Sequence, residues 1–154
     1  MAPRVGIGYD SHRLVEGERL VIGGVEIEHD RGLVGHSDAD VLTHAVIDAL
    51  LGACGLGDLG ELFPDDEEEW RDADSTDLLR VVLGRMTGAV MNVDVTVICE
   101  QPKLAPYKAE ISAHLAEVLS APVSVKASTN EGMGAIGRGE GIACVAVALV
   151  DSGD

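Results

Sequence analysis

Apolar and polar positions alternate from Arg4 to Asp10, with Val5, Ile7 and Tyr9 on one face and Gly6, Gly8 and Asp10 on the other. That period of two predicts a strand. Leu20-Val21-Ile22 and Val25-Glu26-Ile27 flank Gly23-Gly24 and predict a hairpin. From Asp38 to Ala53 the period lengthens to that of a helix, with Val41, Ala45, Val46, Ala49 and Leu50 on its apolar face. Ser37 stands where an N-cap is expected and Asp40 in the reciprocal capping-box position. Gly55 or Gly57 should end the helix. A second helix is predicted from Ser75 to Met86, burying Leu78, Leu79, Val82 and Leu83. Val93 to Cys99 is rich in β-formers. Pro106 suits the first turn of a third helix whose face is Tyr107, Ile111, Leu115, Val118 and Leu119. Val123–Ala127 and Gly141–Val150 read as strands, and the second is so uniformly apolar that it belongs in the middle of a sheet. The predicted fold is α/β (α+β): a two-layer sandwich with a mixed four-stranded sheet, helices mainly on one face, and a small β-hairpin.

No linker, repeat or low-complexity tract divides the 154 residues, so residues 1–154 are expected to form a single domain. Hydrophobic residues make up 46%, yet the aromatic ones are only Tyr9, Phe63, Trp70 and Tyr107. The core must be built from Val, Leu, Ile and Ala. No apolar run approaches the ~20 residues that span a bilayer. The N-terminus carries neither a signal-peptide nor a transit pattern, so a cytoplasmic location is expected. Cys54, Cys99 and Cys144 are odd in number and widely spaced, which suits small buried hydrophobes rather than disulfides or metal ligands. The net charge of −16, from 27 acids and 11 bases, argues against nucleic-acid and anionic-membrane partners. A polyanionic small substrate would need metal ions or a local basic pocket. Asp65-Asp66-Glu67-Glu68-Glu69 reads as a solvated loop.

Three of the five histidines fall in Asp10-Ser11-His12 and in the segment from His36 to His44. On a strand, Asp10 and His12 share a face at a Cα separation of roughly 6.5–7 Å. His44, two turns into the helix, can approach from another element. Two imidazoles and one carboxylate suit Zn²⁺ with a fourth position open, the pattern of catalytic zinc. Mn²⁺, Fe²⁺ or Co²⁺ also fits. Asp40 competes with Asp10, being one turn before His44, and spacing does not choose between them. The plainer alternative is a surface Asp-x-His and an unrelated helical His. His36 and Ser37 sit at the helix mouth, where backbone N–H groups and the dipole favour phosphate, although capping alone would also explain Ser37. In the polar loop after the Val123–Ala127 strand, Ser128 and Thr129 offer hydroxyls, and Glu131 offers a carboxylate for Mg²⁺. Arg138, between glycines, is either an anion fork or the ion-pair partner of a nearby acid. In Gln101-Pro102-Lys103-Leu104-Ala105-Pro106, backbone groups can read a base edge and Lys103 can meet a phosphate.

Taken together, these segments resemble a known family. Asp10-Ser11-His12, His36-Ser37-Asp38-Ala39-Asp40 with His44, Gly57-Asp58-Leu59-Gly60, Leu62-Phe63-Pro64-Asp65, Asn92-Val93-Asp94-Val95-Thr96, Pro102-Lys103 and Gly137-Arg138-Gly139-Glu140-Gly141 are similar to the motifs of 2-C-methyl-D-erythritol 2,4-cyclodiphosphate synthases, in family order. The resemblance implies a homotrimer with active sites between subunits. It implies cyclisation of 4-diphosphocytidyl-2-C-methyl-D-erythritol 2-phosphate with loss of CMP, in non-mevalonate isoprenoid biosynthesis. It further implies Zn²⁺, or another divalent cation, on Asp10, His12 and His44, with Asp40 no longer a ligand. Mg²⁺ or Mn²⁺ would be held with the substrate phosphates at Glu131. His36 and Thr129 would stabilise the phosphoryl group in flight, with Ser37 beside it. By the same resemblance Asp58, Leu59 and Gly60 match the methylerythritol site, and Phe63, Pro64, Asp65, Asp66 and Glu67 match a further substrate loop. Cys99, Glu100, Gln101, Pro102, Lys103, Leu104 and Ala105 match the cytidine segment. Ser128 and Asn130 belong to the diphosphate loop, and Ala135 and Arg138 to a further substrate-contacting stretch.

The chain departs from the family pattern at several points. Ser128-Thr129-Asn130-Glu131 replaces a Thr-Thr-Thr-Glu run, keeping two hydroxyls and the carboxylate. Ala135 and Val145 replace the Phe and Glu that some members place near the trimer axis, and Leu104-Ala105 replaces a bulkier pair beside the base. The implied chemistry is an intramolecular phosphoryl transfer driven by positioning and charge stabilisation. Two other readings remain open on the residues alone: a zinc hydrolase of phosphate esters, and a trimeric metal- or ligand-binding protein without catalysis.

Overall fold

The computed structural model describes residues 2–64, 66–151 and 153, so Asp65, one of the expected substrate-loop residues, lies outside the described residues. Strand β1 (Pro3–Glu16) continues well past Asp10. The hairpin β2 (Leu20–Ile22) and β3 (Val25–Ile27) forms as expected, and both turn glycines have positive φ, +62° at Gly23 and +77° at Gly24. That is the backbone of the turn that matches strand twist. Strand β4 (Arg31–Val34) pairs antiparallel with the far end of β1. Strands β5 (Ala89–Ile98), β6 (Val123–Ser128) and β7 (Gly141–Asp151) complete a mixed sheet in the order β4-β1-β7-β5-β6, in which only β5 and β6 run parallel. The apolar β7 is central, as its composition predicts. The sheet has five strands rather than four. Arg-Gly-Leu-Val is too short to show a period, and it pairs with the end of β1 that extends past β7.

Helix α1 (Val41–Cys54) begins three residues later than Asp38. Ser37 does not cap it. Ala39 adopts φ 58°, which no helix continues through, and Asp40 is the N-cap. Gly55, at φ 67°, ends the helix. A single turn, α2 (Leu59–Leu62), is capped by Asp58, and α3 (Ser75–Arg85) by Asp74. Pro106 lies in a 3-10 turn, Ala105–Tyr107, that leads into α4 (Lys108–Leu119). A short turn, α5 (Gly134–Gly137), precedes β7. Helix α1 lies across β1, β7 and β5, α4 covers β6, and α3 contacts both helices. Valines 93, 95 and 97, Ala146 and Ala148, and the Leu, Ile and Val side chains of the helices fill the space between the layers.

The two faces of β1 are used in an unusual sense. Gly6 and Gly8 face α1, and the apolar Val5, Ile7 and Tyr9 face outward at 68%, 70% and 58% exposure. A Cβ on Gly8 would stand 1.9 Å from the carbonyl oxygen of Ala45, and one on Gly6 would stand 1.9 Å from that of Ala49. The glycines therefore let helix backbone rest directly on strand backbone. The opposite sheet face, with Met91 and Val147 also exposed, is left without a covering layer.

Candidate active site

The close seating of α1 is what assembles the site. Asp10 and His12 lie on the same face of β1 as Gly8, so they point toward α1, and the buried His44 descends from that helix onto them. Asp10 Oδ2 is 2.8 Å from His12 Nε2 and 3.0 Å from His44 Nδ1. The two ring nitrogens are 3.3 Å apart. Ligand atoms around a tetrahedral zinc, at ~2.0–2.1 Å from the ion, stand about 3.4 Å from one another. The three side chains are thus close to ligand spacing, and among the described residues they form the group able to hold a metal ion.

The far nitrogen of each ring is engaged. His12 Nδ1–H donates to the Val34 carbonyl at 3.0 Å. His44 Nε2 meets Ser75 Oγ at 2.8 Å and Ser37 Oγ at 3.0 Å. With those nitrogens donating, His12 Nε2 and His44 Nδ1 turn lone pairs toward the Asp10 carboxylate. Three electron-rich atoms within 3.3 Å require a cation among them, and this donor set fits a divalent metal. In the metal-free protein a proton serves. Burial pushes the Asp10 carboxyl up, but the two imidazoles beside it, His12 first, outweigh it and hold it below its ordinary value. Burial pulls the His12 imidazole down, yet the hydrogen bond and charge of Asp10 raise it overall.

Asp40 takes no part. It is fully buried, and its two oxygens accept from Gly23 N at 2.8 Å, Gly24 N at 2.7 Å, Thr43 N at 3.0 Å and Thr43 Oγ1 at 2.8 Å. Four donors saturate the carboxylate and tie the β2–β3 turn to the start of α1.

These three side chains open into a cavity of about 270 Å³, lined also by His36, Ser37, Leu59, Gly60, Phe63, Trp70 and Leu78. The three are Asp10, His12 and His44. His36 is held by its Nε2–H on the Glu67 carbonyl at 3.1 Å. Phe63 and Trp70 pack edge to face at 4.8 Å and wall one side. Trp70 and Leu78 were not among the residues expected here. Trp70 arrives through the fold-back of an acidic segment that reads as plain loop. Asp58 uses its carboxylate on Glu61 N at 2.9 Å, and Pro64, Asp66 and Glu67 lie on the adjoining loop without lining the cavity.

A second pocket, of about 160 Å³, lies at the ends of β5 and β6. Cys99, Pro102, Lys103, Leu104, Ala105, Ser128 and Thr129 line it, together with Lys108, which places a second positive side chain there. Burial pushes the Cys99 thiol up to about 11, and its S–H donates to the Gln101 carbonyl at 3.1 Å. Gln101 and Pro102 are joined by a cis peptide. Glu100 turns away from this pocket. Its carboxylate accepts from Asn130 N at 2.5 Å and Gly132 N at 3.3 Å, fastening the loop that carries the exposed Glu131. Arg138 donates to Glu140 at 2.7 Å, so of its two readings the ion pair is the one present. Ala135 lines a shallow hollow with Arg13, Ile136 and Glu140.

The two pockets share no lining residue. They sit toward opposite edges of the sheet, three strand spacings or roughly 14 Å apart, with α1 lying over the strands between them.

Fold and geometry together define a class: an α/β protein whose strand–helix junction holds a carboxylate and two imidazoles able to bind a divalent cation beside an open cavity. Residues 3–151 match the family model described as the YgbB family, and the chain belongs to that family. A 2-C-methyl-D-erythritol 2,4-cyclodiphosphate synthase from Salinibacter ruber is 56% identical over 155 residues, covering 97% of this chain and 99% of its own. The structure of the bifunctional IspDF from Campylobacter jejuni superposes with a TM-score of 0.92 at 37% identity, over 97% of this chain and 42% of that one. An IspF–CDP complex from Plasmodium falciparum superposes at 0.84 with 32% identity, over 99% and 98% of the two chains.

Proposed function

We propose that this chain is a 2-C-methyl-D-erythritol 2,4-cyclodiphosphate synthase of the non-mevalonate isoprenoid route, acting as a single domain, in the cytoplasm, as a homotrimer. Its substrate is 4-diphosphocytidyl-2-C-methyl-D-erythritol 2-phosphate. The observation that carries this reading is the convergence of Asp10 Oδ2, His12 Nε2 and His44 Nδ1 on one point at the floor of the cavity that His36 borders. The relatives' names and the CDP-bound neighbour support the same substrate class.

In the reaction an oxygen of the 2-phosphate attacks the β-phosphorus. The bond from that phosphorus to the bridging oxygen breaks, and its electron pair leaves with CMP. Asp10, His12 and His44 would hold a divalent cation that supplies Lewis-acid charge, and Glu131 would hold Mg²⁺ or Mn²⁺ together with the substrate phosphates. His36, at the cavity rim, borders the place where charge builds on the transferred phosphoryl group. Leu59, Gly60 and Phe63 hold the branched diol folded, and Trp70 behind them excludes water. Lys103, Lys108, Ser128 and Thr129 receive the nucleotide, with the Gln101–Ala105 backbone against the base. No protein nucleophile is required, because the attacking oxygen belongs to the substrate.

The separation of the two pockets within one chain supports the reading in which sites are completed by neighbouring copies. The uncovered sheet face supports that assembly: covering a Val, Ile or Tyr side chain is worth ~1.5–3 kcal/mol each, and Val5, Ile7 and Tyr9 all lie exposed.

Phosphorus NMR of the substrate incubated with the protein in Zn²⁺ and Mg²⁺ should show cyclic diphosphate and CMP, with turnover lost on metal removal and in His12→Ala. A linear hydrolysis product would replace this reading with that of a phosphate-ester hydrolase.

A further inference from the structure

Two residues outside the cavity form a hydrogen-bonded chain behind His44. Ser75, the first residue of α3, is fully buried and does not line the cavity. Its Oγ is 2.8 Å from His44 Nε2, and its hydroxyl is also bonded to Asp38 Oδ1. Asp38 Oδ2 accepts the backbone N–H of the same serine at 2.9 Å. The loop in turn holds Asp38: its N–H donates to the Ala73 carbonyl at 3.2 Å, and Oδ1 accepts from Asp40 N at 3.1 Å.

The direction of this chain of bonds follows from chemistry. An ionised carboxylate only accepts, so the Ser75 hydroxyl donates to Asp38. The serine oxygen then has only lone pairs left for His44, so His44 Nε2 must carry the proton. His44 Nδ1 is therefore the unprotonated nitrogen, and it is Nδ1 that faces Asp10 and His12. Without this constraint the opposite tautomer has an attraction of its own, because an Nδ1–H would donate to Asp10 Oδ2 at 3.0 Å and block the ligand position.

We propose that Ser75 and Asp38 are a positioning pair that fixes His44 in the metal-ligating tautomer and thereby sets the affinity of the Asp10–His12–His44 centre for its cation. The proposal rests on the metal-site reading above. Ser37 Oγ, at 3.0 Å from the same nitrogen, lies on the cavity wall and is a secondary partner. The Ser75 backbone N–H by itself ties the start of α3 to Asp38, so that link does not depend on the hydroxyl.

Ser75→Ala in the full chain tests this. It deletes the hydroxyl and keeps the N–H to Asp38. Zn²⁺ affinity, measured by competition with a chromophoric chelator, should weaken about 10- to 100-fold, the usual cost of losing a group that orients a ligating histidine. The melting temperature of the metal-free protein should stay near that of the parent, and Ser75→Thr should restore affinity. In metal-free protein at alkaline pH, imidazole ¹H–¹⁵N correlation spectra should show His44 protonated at Nε2 in the parent and in mixed tautomers in Ser75→Ala. Unchanged zinc affinity, or a loss of metal-free stability with affinity intact, would overturn the proposal. His12→Ala is the control for the underlying reading: if it binds zinc as the parent does, the metal centre itself is wrong, whereas the tautomer spectra still report on Ser75.

Discussion

Asp10 and His12 could be placed on one face from the sequence because a strand has a period of two, and the structure keeps them there. The choice between Asp10 and Asp40 was not readable from local spacing. It depends on two backbone N–H groups in the Gly23-Gly24 turn that saturate Asp40. Ser75 was invisible for the same reason: its partner His44 is 31 residues away. The pH behaviour of the centre follows from Asp10 and His12. His12 is raised above 6.5, so the stability it contributes to the metal-free protein is full below that value and is lost as pH rises through its folded pKa. Asp10 is lowered below 3.8, so its contribution is present above that value and is lost as pH falls through its folded pKa. A cation must displace the His12 proton. Metal affinity should therefore climb about tenfold per pH unit up to the folded pKa of His12 and flatten above it. Chelator competition across that range checks this, and a flat profile would mean that His12 is not a ligand.

At the scale of elements, the alternation in β1 was plain, but not which face would be covered. The apolar face is open, and the glycine face receives α1, because glycine alone allows helix backbone within contact of the strand. Strand β4 was missed because four residues carry no period, and α1 starts late because Ala39 takes a left-handed φ. The order and type of the longer elements were legible because their apolar spacing is regular. Gly8→Ala is the sharpest test of the junction. The added methyl meets the Ala45 carbonyl oxygen, with no flexible side chain to yield. It should cost about 1–3 kcal/mol or more in stability, as overpacking does. It should also lift His44 from Asp10 and weaken zinc binding, which thermal melts and chelator competition would show together. A variant with parental melting and affinity would mean that the close approach does not set the site.

For the whole molecule, the −16 charge, the open apolar sheet face and the two separated pockets have a common reading. The acidic surface disfavours polyanions in general, and cations admit one at a defined place. In the proposed trimer the apolar face would bring copies together, so that the metal half of one site would meet the nucleotide half of the next. Subunit complementation tests that claim most directly. His12→Ala disables the metal half, and Glu131→Gln disables the nucleotide half. Each alone should be inactive. Co-expressed one to one, the two chains should regain about a quarter of parental cyclase activity, since a site between copies is intact when each half comes from the chain that preserves it. A mixed preparation that assembles and yet stays as inactive as either variant alone would contradict the account.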